Sequence, residues 1–262
     1  MTENVSNNRG MPYIGVTDFV SHEQVLQAVE CIPESLNRRL HVGVMMSYKT
    51  LHGIPTETGW EGIWPRGDAL HAIFQPHMRV FNVLHFADYG QPYLTTSDDL
   101  ILACQEAGPH LRGLQLDMIW PQAQLIRDVK VELPHLEIIL QLGKKALGQM
   151  EDSGGYLGIE LTRYLDCVDY FLIDWGMGKG VPMDLRIVQG YLYDALRVLT
   201  QDRLAVAGGL GPMSYMVLED IFKKYLNVSC DAQGQMRSTG KATDPIEMER
   251  VCGYVRGVCS LV

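Results

Sequence analysis

The sequence predicts a (β/α)8 barrel, also called a TIM barrel, with one domain and an enlarged connection after the second strand. Short, β-prone apolar runs recur about thirty residues apart, which is the length of one βα unit. The runs end in polar or glycine-rich residues, and several of the gaps between them show helical periodicity. The chain has 262 residues, close to the roughly 250 residues of a typical barrel of this kind.

Eight runs meet this description, and they cover residues 13–16, 41–46, 80–86, 113–116, 137–140, 170–173, 204–207 and 227–230. Helical spacing is clearest at residues 24–29, 185–199 and 215–226. Ser21, with Gln24 three residues later, predicts a helix start. The alternative fold is an open doubly wound sheet. A dinucleotide-binding version would carry G-x-G-x-x-G after the first strand, and that stretch has no such motif.

Composition limits the partners and the location that we expect. A hydrophobic content of 47% supports one full core, here the barrel of residues 11–262, preceded by a polar, disordered tail of residues 1–10. The net charge of −9 argues against nucleic acid as a partner. The sequence shows no apolar run long enough for a membrane span and no signal peptide, so we expect a cytoplasmic protein. The six cysteines form no C-x-x-C pair, which favours buried, reduced thiols.

Candidate catalytic residues lie where the strand runs end, because barrels place their active sites at the carboxyl ends of the strands. The run at residues 170–173 ends in Asp174, followed by three glycines within six residues. Asp18 follows the first run, and its alternative interpretation is a turn or cap carboxylate. For Asp174 the alternative is a structural carboxylate that orders the glycine-rich turn.

The middle strands contribute a second group of polar residues to the same rim. His85 and Asp88 are candidates for a base and the carboxylate that orients it, although His85 also fits a hydrogen-bonded core position. Gln115 and Asp117 end the fourth run and Gln141 ends the fifth. The histidines show no spacing typical of metal ligands, so we predict no metal.

The connection from residue 47 to residue 66 is rich in Gly, Pro, Thr and Trp. Structureless connections longer than about 12–15 residues are uncommon and are often lids or binding loops. We therefore predict a substrate cover over the barrel mouth. The alternative is that this loop packs against a neighbouring subunit of a homo-oligomer. The candidate contact residues are Tyr48, Lys49, Trp60, Trp64 and Arg66.

Glycine-rich turns follow the last two strands. Gly208 and Gly209 come directly after the seventh run, and Gln233 and Gly234 follow the eighth. In barrels, the loops after strands seven and eight commonly hold a phosphate group through backbone N–H groups. These four residues are the candidate phosphate contacts, and they imply a small phosphorylated substrate.

Several motifs together resemble phosphoribosylanthranilate isomerase of tryptophan biosynthesis, over nearly the whole chain and most strongly from residue 171 to residue 244. They are Ala-Gly-Gly-Leu-Gly-Pro at residues 207–212, Asp-Ala-Gln-Gly at 231–234 followed by Gly-Lys and Asp244, Leu-Ile-Asp ending at Asp174, and the strand segments 13–17 and 113–116. The resemblance implies a ribulose-phosphate binding barrel that catalyses a cofactor-free Amadori rearrangement of an aminoaldose phosphate. It also implies that Asp174 is the general acid.

The chain departs from the family pattern at the general base. Ile14 stands where the family has a catalytic cysteine before glycine, and an aliphatic side chain cannot carry protons. Asp117 replaces a usual histidine, Gln141 replaces a frequent lysine, and Arg66 of Trp-Pro-Arg stands for the family's arginine. The resemblance therefore implies a divergent relative with an altered substrate, or one without catalysis.

Three functions remain open at this point. The first is an isomerase of a phosphorylated sugar or ribose-phosphate derivative, with Asp174 as general acid and a substitute base from Asp18, Asp117 or His85. The second is an aldolase or lyase at the same phosphate site, which would use Lys144 for a Schiff base. The third is a non-catalytic protein that binds a phosphorylated ligand. None of the three requires a cofactor.

Overall fold

The fold is organised around eight parallel strands that pair in chain order and close into a ring, with the last strand returning to the first. The computed structural model describes residues 10–56, 63–90, 92–176 and 182–262. The predicted (β/α)8 barrel is confirmed. The strands are β1 (Tyr13–Thr17), β2 (Arg39–Ser47), β3 (Val80–Asp88), β4 (Gly113–Met118), β5 (Glu137–Gly143), β6 (Tyr170–Asp174), β7 (Leu204–Ala207) and β8 (Ser229–Ala232).

Helices cover the outside of the ring and connect the strands. The Ser21 side chain caps the first helix by accepting a hydrogen bond from the Gln24 N–H, and Gln24 accepts one from the Val20 N–H, as the capping pattern predicts. No helix in the described ranges is long and apolar enough to span a bilayer. The helices are α1 (His22–Val29), α2 (Tyr48–Leu51), α3 (Asp68–Ile73), α4 (Ser97–Ala107), α5 (Ala123–Glu132), α6 (Lys144–Asp152), α7 (Leu157–Leu161), α8 (Leu185–Ala195), α9 (Glu219–Phe222) and α10 (Met248–Cys259).

The boundaries differ from the sequence prediction mainly near the end of the chain. Strand β8 begins at Ser229, two residues later than predicted, because Ser229 is the first residue that pairs with β7. Arg38 donates hydrogen bonds to the carbonyls of Leu226 and Val228 and so holds the preceding segment as a turn. The helix predicted for residues 215–226 is instead a 3-10 turn at Tyr215–Leu218 followed by the short α9.

Strand alternation separates two apolar cores. The larger core lies between the strands and the helices. It contains strand residues that face away from the lumen, such as Ile14, Val16, Leu40 and Val42. The smaller core fills the lumen of the barrel with Tyr13, Phe81, Val83, Ile139, Tyr170, Leu172, Ala205 and Ala207. Because successive residues of a strand face opposite sides, the placement of Tyr13 in the lumen puts Ile14 outside and Gly15 inside.

All six cysteines carry free thiols. Cys31, Cys104, Cys167 and Cys230 are buried, whereas Cys252 and Cys259 are partly exposed. The prediction of buried thiols is therefore correct for the first four and wrong for the two on α10.

A buried ion pair closes the lumen at the amino ends of the strands. The Arg39 guanidinium donates to both oxygens of the Glu137 carboxylate, at 2.7 and 2.9 Å, and also to the Tyr170 hydroxyl. Arg39 lies over the Phe81 ring, 4.0 Å from its centroid. Burial opposes the charge of Arg39, but its bonds to Glu137 and Tyr170 hold its pKa above the ordinary value. The Gly10 N–H donates to Glu137 as well, while residues 1–9 of the predicted tail lie outside the described residues.

Removing one partner of this pair should destabilise the barrel strongly. We expect Glu137→Ala to lower the free energy of unfolding by about 3–5 kcal/mol, because it leaves the Arg39 charge buried without its partner. The double variant Arg39→Met with Glu137→Leu replaces both charges by apolar groups and should recover much of that loss. Urea unfolding checks this. An equal loss in both variants would contradict it.

Candidate active site

A cavity at the carboxyl ends of the strands brings the loops after β7 and β8 together with side chains from the lumen. The cavity is narrow, with a volume of about 30 Å³, and the empty space reaches about 380 Å³ only when its open mouth is included. The polar side chains that line it are His85, Gln141, Asp174, Asp231, Gln233 and Gln235, and the glycines are Gly208, Gly209 and Gly234. The structure thus brings residues predicted separately for catalysis and for phosphate binding to one place.

Asp174 ends β6 and is held by hydrogen bonds to both of its carboxylate oxygens. Its Oδ1 accepts from the Gly176 N–H at 2.9 Å, and its Oδ2 accepts from the Gln141 Nε2 at 2.9 Å. The carboxylate is buried and lines the cavity. A carboxylate that accepts from N–H groups at both oxygens is stabilised in its ionised form.

A chain of hydrogen bonds leads from Asp174 across the lumen to β2. Gln141 donates to Asp174, Gln115 donates to Gln141 at 2.8 Å, and the Gln115 Oε1 lies 3.1 Å from the His41 Nε2. Because Gln115 uses its amide nitrogen toward Gln141, it presents its oxygen to His41, and His41 must donate from Nε2. The chain therefore fixes the tautomer of His41.

The Nδ1 of His41 is left as a bare acceptor in the centre of the barrel. Among the described residues it has no hydrogen-bond partner, and the nearest carboxylate oxygen is the Asp231 Oδ1 at 3.9 Å. Burial and, to a smaller extent, His85 lower the pKa of His41 to about 3. The pKa of Asp231 is raised to about 7, by burial and the Asp174 charge, against the opposing effects of His85 and of hydrogen bonds from Ala232 and Gln115. His41 is thus neutral at pH 7, and Asp231 retains its proton to a higher pH than an exposed aspartate does.

His85 faces Asp117 rather than Asp88. The Nε2 of His85 lies 3.8 Å from the Asp117 Oδ2, which also accepts the Tyr89 hydroxyl. Burial lowers the pKa of His85, but Asp117 and other nearby carboxylates outweigh it and raise the pKa above its ordinary value. Asp88 turns away and accepts from the Gly90 N–H and the Thr95 hydroxyl. The predicted pairing of His85 with Asp88 is therefore wrong, because Asp88 orders the loop after β3 instead.

Asp18, the residue after β1, binds two side chains of the loop after β8. Its Oδ2 accepts from the Arg237 guanidinium at 2.5 Å and from the Gln233 Nε2 at 3.0 Å. Arg237 is 2% exposed, so this ion pair is shielded from water. Asp18 also has a φ of 84°, a left-handed conformation that aspartate tolerates better than most residues. With its charge balanced by Arg237, Asp18 is a weaker candidate for the catalytic base than the sequence suggested.

The glycines after β7 are needed where two loops approach closely. A Cβ on Gly208 would lie 2.8 Å from the Gly176 nitrogen, and Gly208 has a φ of 121°. Gly209 has a φ of 63°. A Cβ on Gly211 would lie 2.4 Å from the Gln235 Cβ. The β7 loop is therefore wedged between the turn that holds Asp174 and the loop after β8.

Arg66 lies outside this cavity, contrary to the substrate-binding role predicted for it. Its guanidinium donates to both oxygens of Glu106, at 2.6 and 2.5 Å, and to the Thr50 carbonyl. These bonds tie the long loop to α4. Trp64 lines a second, more apolar cavity beside Asp18, while Tyr48 packs on His52. Trp60 lies outside the described residues.

Lys144 begins α6 and is exposed, with its Nζ 5.0 Å from the centroid of the Trp175 ring. It lines a separate surface depression with Lys145 and Tyr89. Among the residues that the structure describes, no three His, Cys, Asp or Glu side chains form a group that could hold a metal ion.

Sequence reasoning missed two residues of the site, His41 and Asp231, as functional candidates. His41 lies within a predicted run, and Asp231 lies directly after one, in the Asp-Ala-Gln-Gly motif. Strand alternation gives a signal for His41, since it occupies a lumen-facing position of β2 opposite Gly15. For Asp231 the signal is a carboxylate directly after the buried Cys230.

Several solved structures share this fold. Phosphoribosyl anthranilate isomerase from Thermus thermophilus superimposes with a TM-score of 0.60 and 15% identity, covering 95% of this chain and 97% of that one. The enzyme of the same name from Thermococcus kodakaraensis has a TM-score of 0.56 and 11% identity, covering 95% and 98%. For 2-keto-3-deoxy-6-phospho-gluconate aldolase from Zymomonas mobilis the TM-score is 0.50 and the identity 13%, covering 97% and 95%.

At these identities the likeness shows the barrel fold alone. No family model matches the sequence, and no curated protein matches it either. The fold hosts many chemistries, so function has to be argued from the cavity.

The close approach at Gly208 yields a stability test. We expect Gly208→Ala to lower the free energy of unfolding by about 1–3 kcal/mol, since its Cβ meets backbone in a left-handed conformation. Gly190→Ala is the matched control, because a Cβ there meets nothing within 4 Å on α8, and it should raise stability by about 0.5–1 kcal/mol. Thermal unfolding checks both, and a neutral Gly208→Ala would show that the two loops can separate.

Proposed function

We propose that this barrel catalyses the acid/base isomerisation of a small phosphorylated sugar derivative without a cofactor. The observation that carries the proposal is the single cavity in which Asp174 and Asp231 lie beside the glycine loops of β7 and β8. Barrel enzymes commonly hold a substrate phosphate at these two loops. The likeness to two structures named as isomerases is consistent with this class of reaction.

The phosphate would be held mainly by backbone groups. The described residues that line the cavity include no Lys and no Arg. Gly208 and Gly209 on one side, and Gly234 on the other, carry no Cβ and let an anion approach the peptide N–H dipoles closely. Gln233 is already committed to Asp18 through its amide nitrogen, so we assign it to positioning the β8 loop.

Asp174 is assigned to proton transfer, and its hydrogen bonds determine in which direction it acts first. Both oxygens accept N–H bonds, which favours the ionised carboxylate. An ionised carboxylate takes a proton from the substrate and returns it later in the cycle. We therefore assign Asp174 as the initial base, rather than the acid that the sequence resemblance implies.

The two alternatives differ in what supports them. A Schiff-base aldolase needs a lysine inside the cavity, and Lys144 is instead exposed beside Trp175. A non-catalytic phosphate-binding protein has one observation in its favour, because the same bonds to Asp174 would suit a carboxylate that only orders the turn at Gly176. Both the isomerase and the binding protein would bind an anion at this site. Only the isomerase would convert a substrate to product.

Phosphate binding can be tested without knowing the substrate. We expect inorganic phosphate or ribose 5-phosphate to raise the melting temperature of the wild type, by about 2–4 °C for each kcal/mol of binding free energy. Gly209→Asp places a carboxylate at the cavity and should abolish the shift. Gly240→Asp is the control, since Gly240 also has a positive φ but is exposed and open. Equal shifts in both variants would remove the β7 loop from the anion site.

Turnover tests the role of Asp174. With a panel of aldose and aminoaldose phosphates and detection of the ketose product, we expect Asp174→Asn to lower kcat/KM by about 10²–10⁴-fold. The variant should remain folded, since asparagine has nearly the same shape. Lys144→Ala should keep full activity, whereas borohydride trapping at Lys144 would support the aldolase. Phosphate binding without any turnover would identify a binding protein.

A further inference from the structure

Asp231 occupies a space that the barrel keeps free for it. On the neighbouring strand β1, Gly15 pairs in register with Asp231. A Cβ on Gly15 would lie 2.4 Å from the Asp231 Oδ1 and 3.2 Å from its Cα. The carboxyl therefore fills the lumen where a side chain of β1 would otherwise lie, and it reaches the cavity that contains Asp174.

The surroundings of Asp231 contain few groups that stabilise a negative charge. Two hydrogen-bonding groups favour its ionised form, the Ala232 N–H at 3.0 Å from its Oδ1 and the Gln115 side chain. The ionisable side chains that interact with it from the other elements are Tyr13 on β1, His41 on β2, His85 on β3, Asp174 on β6 and Tyr254 on α10, with Cys230 on its own strand. Only His85 among these can supply a positive charge.

The bare Nδ1 of His41 completes the argument. It is a buried acceptor without a partner among the described residues, 3.9 Å from the Asp231 Oδ1. A carboxylate has nothing to donate to such an acceptor, whereas a protonated carboxyl carries an O–H that can turn toward it. The hydrogen-bond chain from Asp174 keeps the His41 proton on Nε2 and so maintains this acceptor.

We propose that Asp231 is the proton-donating group of this site, a protonated carboxyl opposite the ionised Asp174, and that His41 is its positioning residue. The proposal rests on the isomerase function proposed above and names its second catalytic residue. It agrees with the raised pKa of Asp231, about 7, which burial and the Asp174 charge produce.

The two carboxyl groups then account for every proton in an isomerisation. Asp174 takes the proton from the carbon next to the substrate carbonyl or imine, and the electron pair of that C–H bond forms a carbon–carbon double bond. The electrons of the carbonyl or imine bond move to its oxygen or nitrogen, which takes the Asp231 proton. In the second half, Asp231 takes the proton of the neighbouring hydroxyl as the new carbonyl forms, and Asp174 returns its proton to the other carbon. Both groups regain their starting states.

The first test measures the titration of the Asp231 carboxyl directly. In protein labelled with ¹³C at the aspartate side-chain carboxyls, NMR should show one carboxyl that titrates near pH 7 in the wild type and is missing in Asp231→Asn. Its titration should move to lower pH in Asp174→Asn, which removes a negative charge, and to higher pH in His85→Gln, which removes a positive one. A merely structural carboxylate would titrate well below pH 7 and show neither shift.

Stability gives a second measurement that needs no activity. The pKa of Asp231 rises from 3.8, the ordinary value, to about 7 on folding, so the unfolded chain releases the proton first as pH increases. The wild type should therefore lose stability relative to Asp231→Asn between about pH 4 and 7, measured as the urea midpoint. A constant difference over this range would overturn the proposal.

Measurements of activity distinguish the role of Asp231 from the isomerase function on which that role rests. If turnover is found, kcat/KM should fall above about pH 7 in the wild type, and Asp231→Asn should lower it by about 10²–10⁴-fold. Full activity in Asp231→Asn would overturn the catalytic assignment. If the carboxyl titrates as expected but no phosphorylated sugar is turned over, the isomerase function fails and Asp231 keeps its proton without a catalytic use.

Discussion

The hydrogen-bond chain from Asp174 through Gln141 and Gln115 to His41 is the constraint on which the rest of the site depends. It links strands β6, β5, β4 and β2 through side chains that are all buried. Each amide donates in the same direction, toward the carboxylate. Buried amides that are fully bonded hold one arrangement, because every alternative leaves a polar group unsatisfied.

This chain gives two aspartates in one cavity different environments. Asp174 receives two N–H bonds and is stabilised as an anion. Asp231 interacts with the Ala232 N–H and the Gln115 side chain, is fully buried, and faces a bare imidazole nitrogen. Pairs of titratable groups whose surroundings push their pKa values apart are typical of acid/base sites. The difference arises from the N–H bonds at both oxygens of Asp174 and from the burial of Asp231 beside the Asp174 charge.

A different buried ion pair lies at each end of the barrel. At the amino ends, Arg39 and Glu137 neutralise each other beneath a layer of aromatic rings. At the carboxyl ends, Asp18 and Arg237 join the first strand to the loop after the last one. The first pair joins β2 to β5, and the second joins the residue after β1 to the loop after β8. The polar chain between them can therefore hold a fixed geometry, with the glycines of the β7 loop packed against the Asp174 turn.

The sequence by itself determined the strands and where the candidate site lies. Apolar runs of the right length at a regular spacing predict eight βα units, and several of the polar or glycine residues where these runs end line the cavity. This information is local, since strand length, alternation and turn residues are set by neighbouring positions. It indicated Asp174, Gln141 and the glycines of the last two loops, which line the cavity, and Gln115, which donates to Gln141.

Only the tertiary structure decided which of these side chains meet. His85 pairs with Asp117 rather than Asp88, Asp18 is neutralised by Arg237 at a separation of 219 residues, and Arg66 binds Glu106 outside the cavity. The register of the closed ring also turns Ile14 outward and Gly15 toward Asp231. Such contacts depend on how strands far apart in the chain are aligned when the ring closes, and a one-residue change in register would reverse which side chains face the lumen.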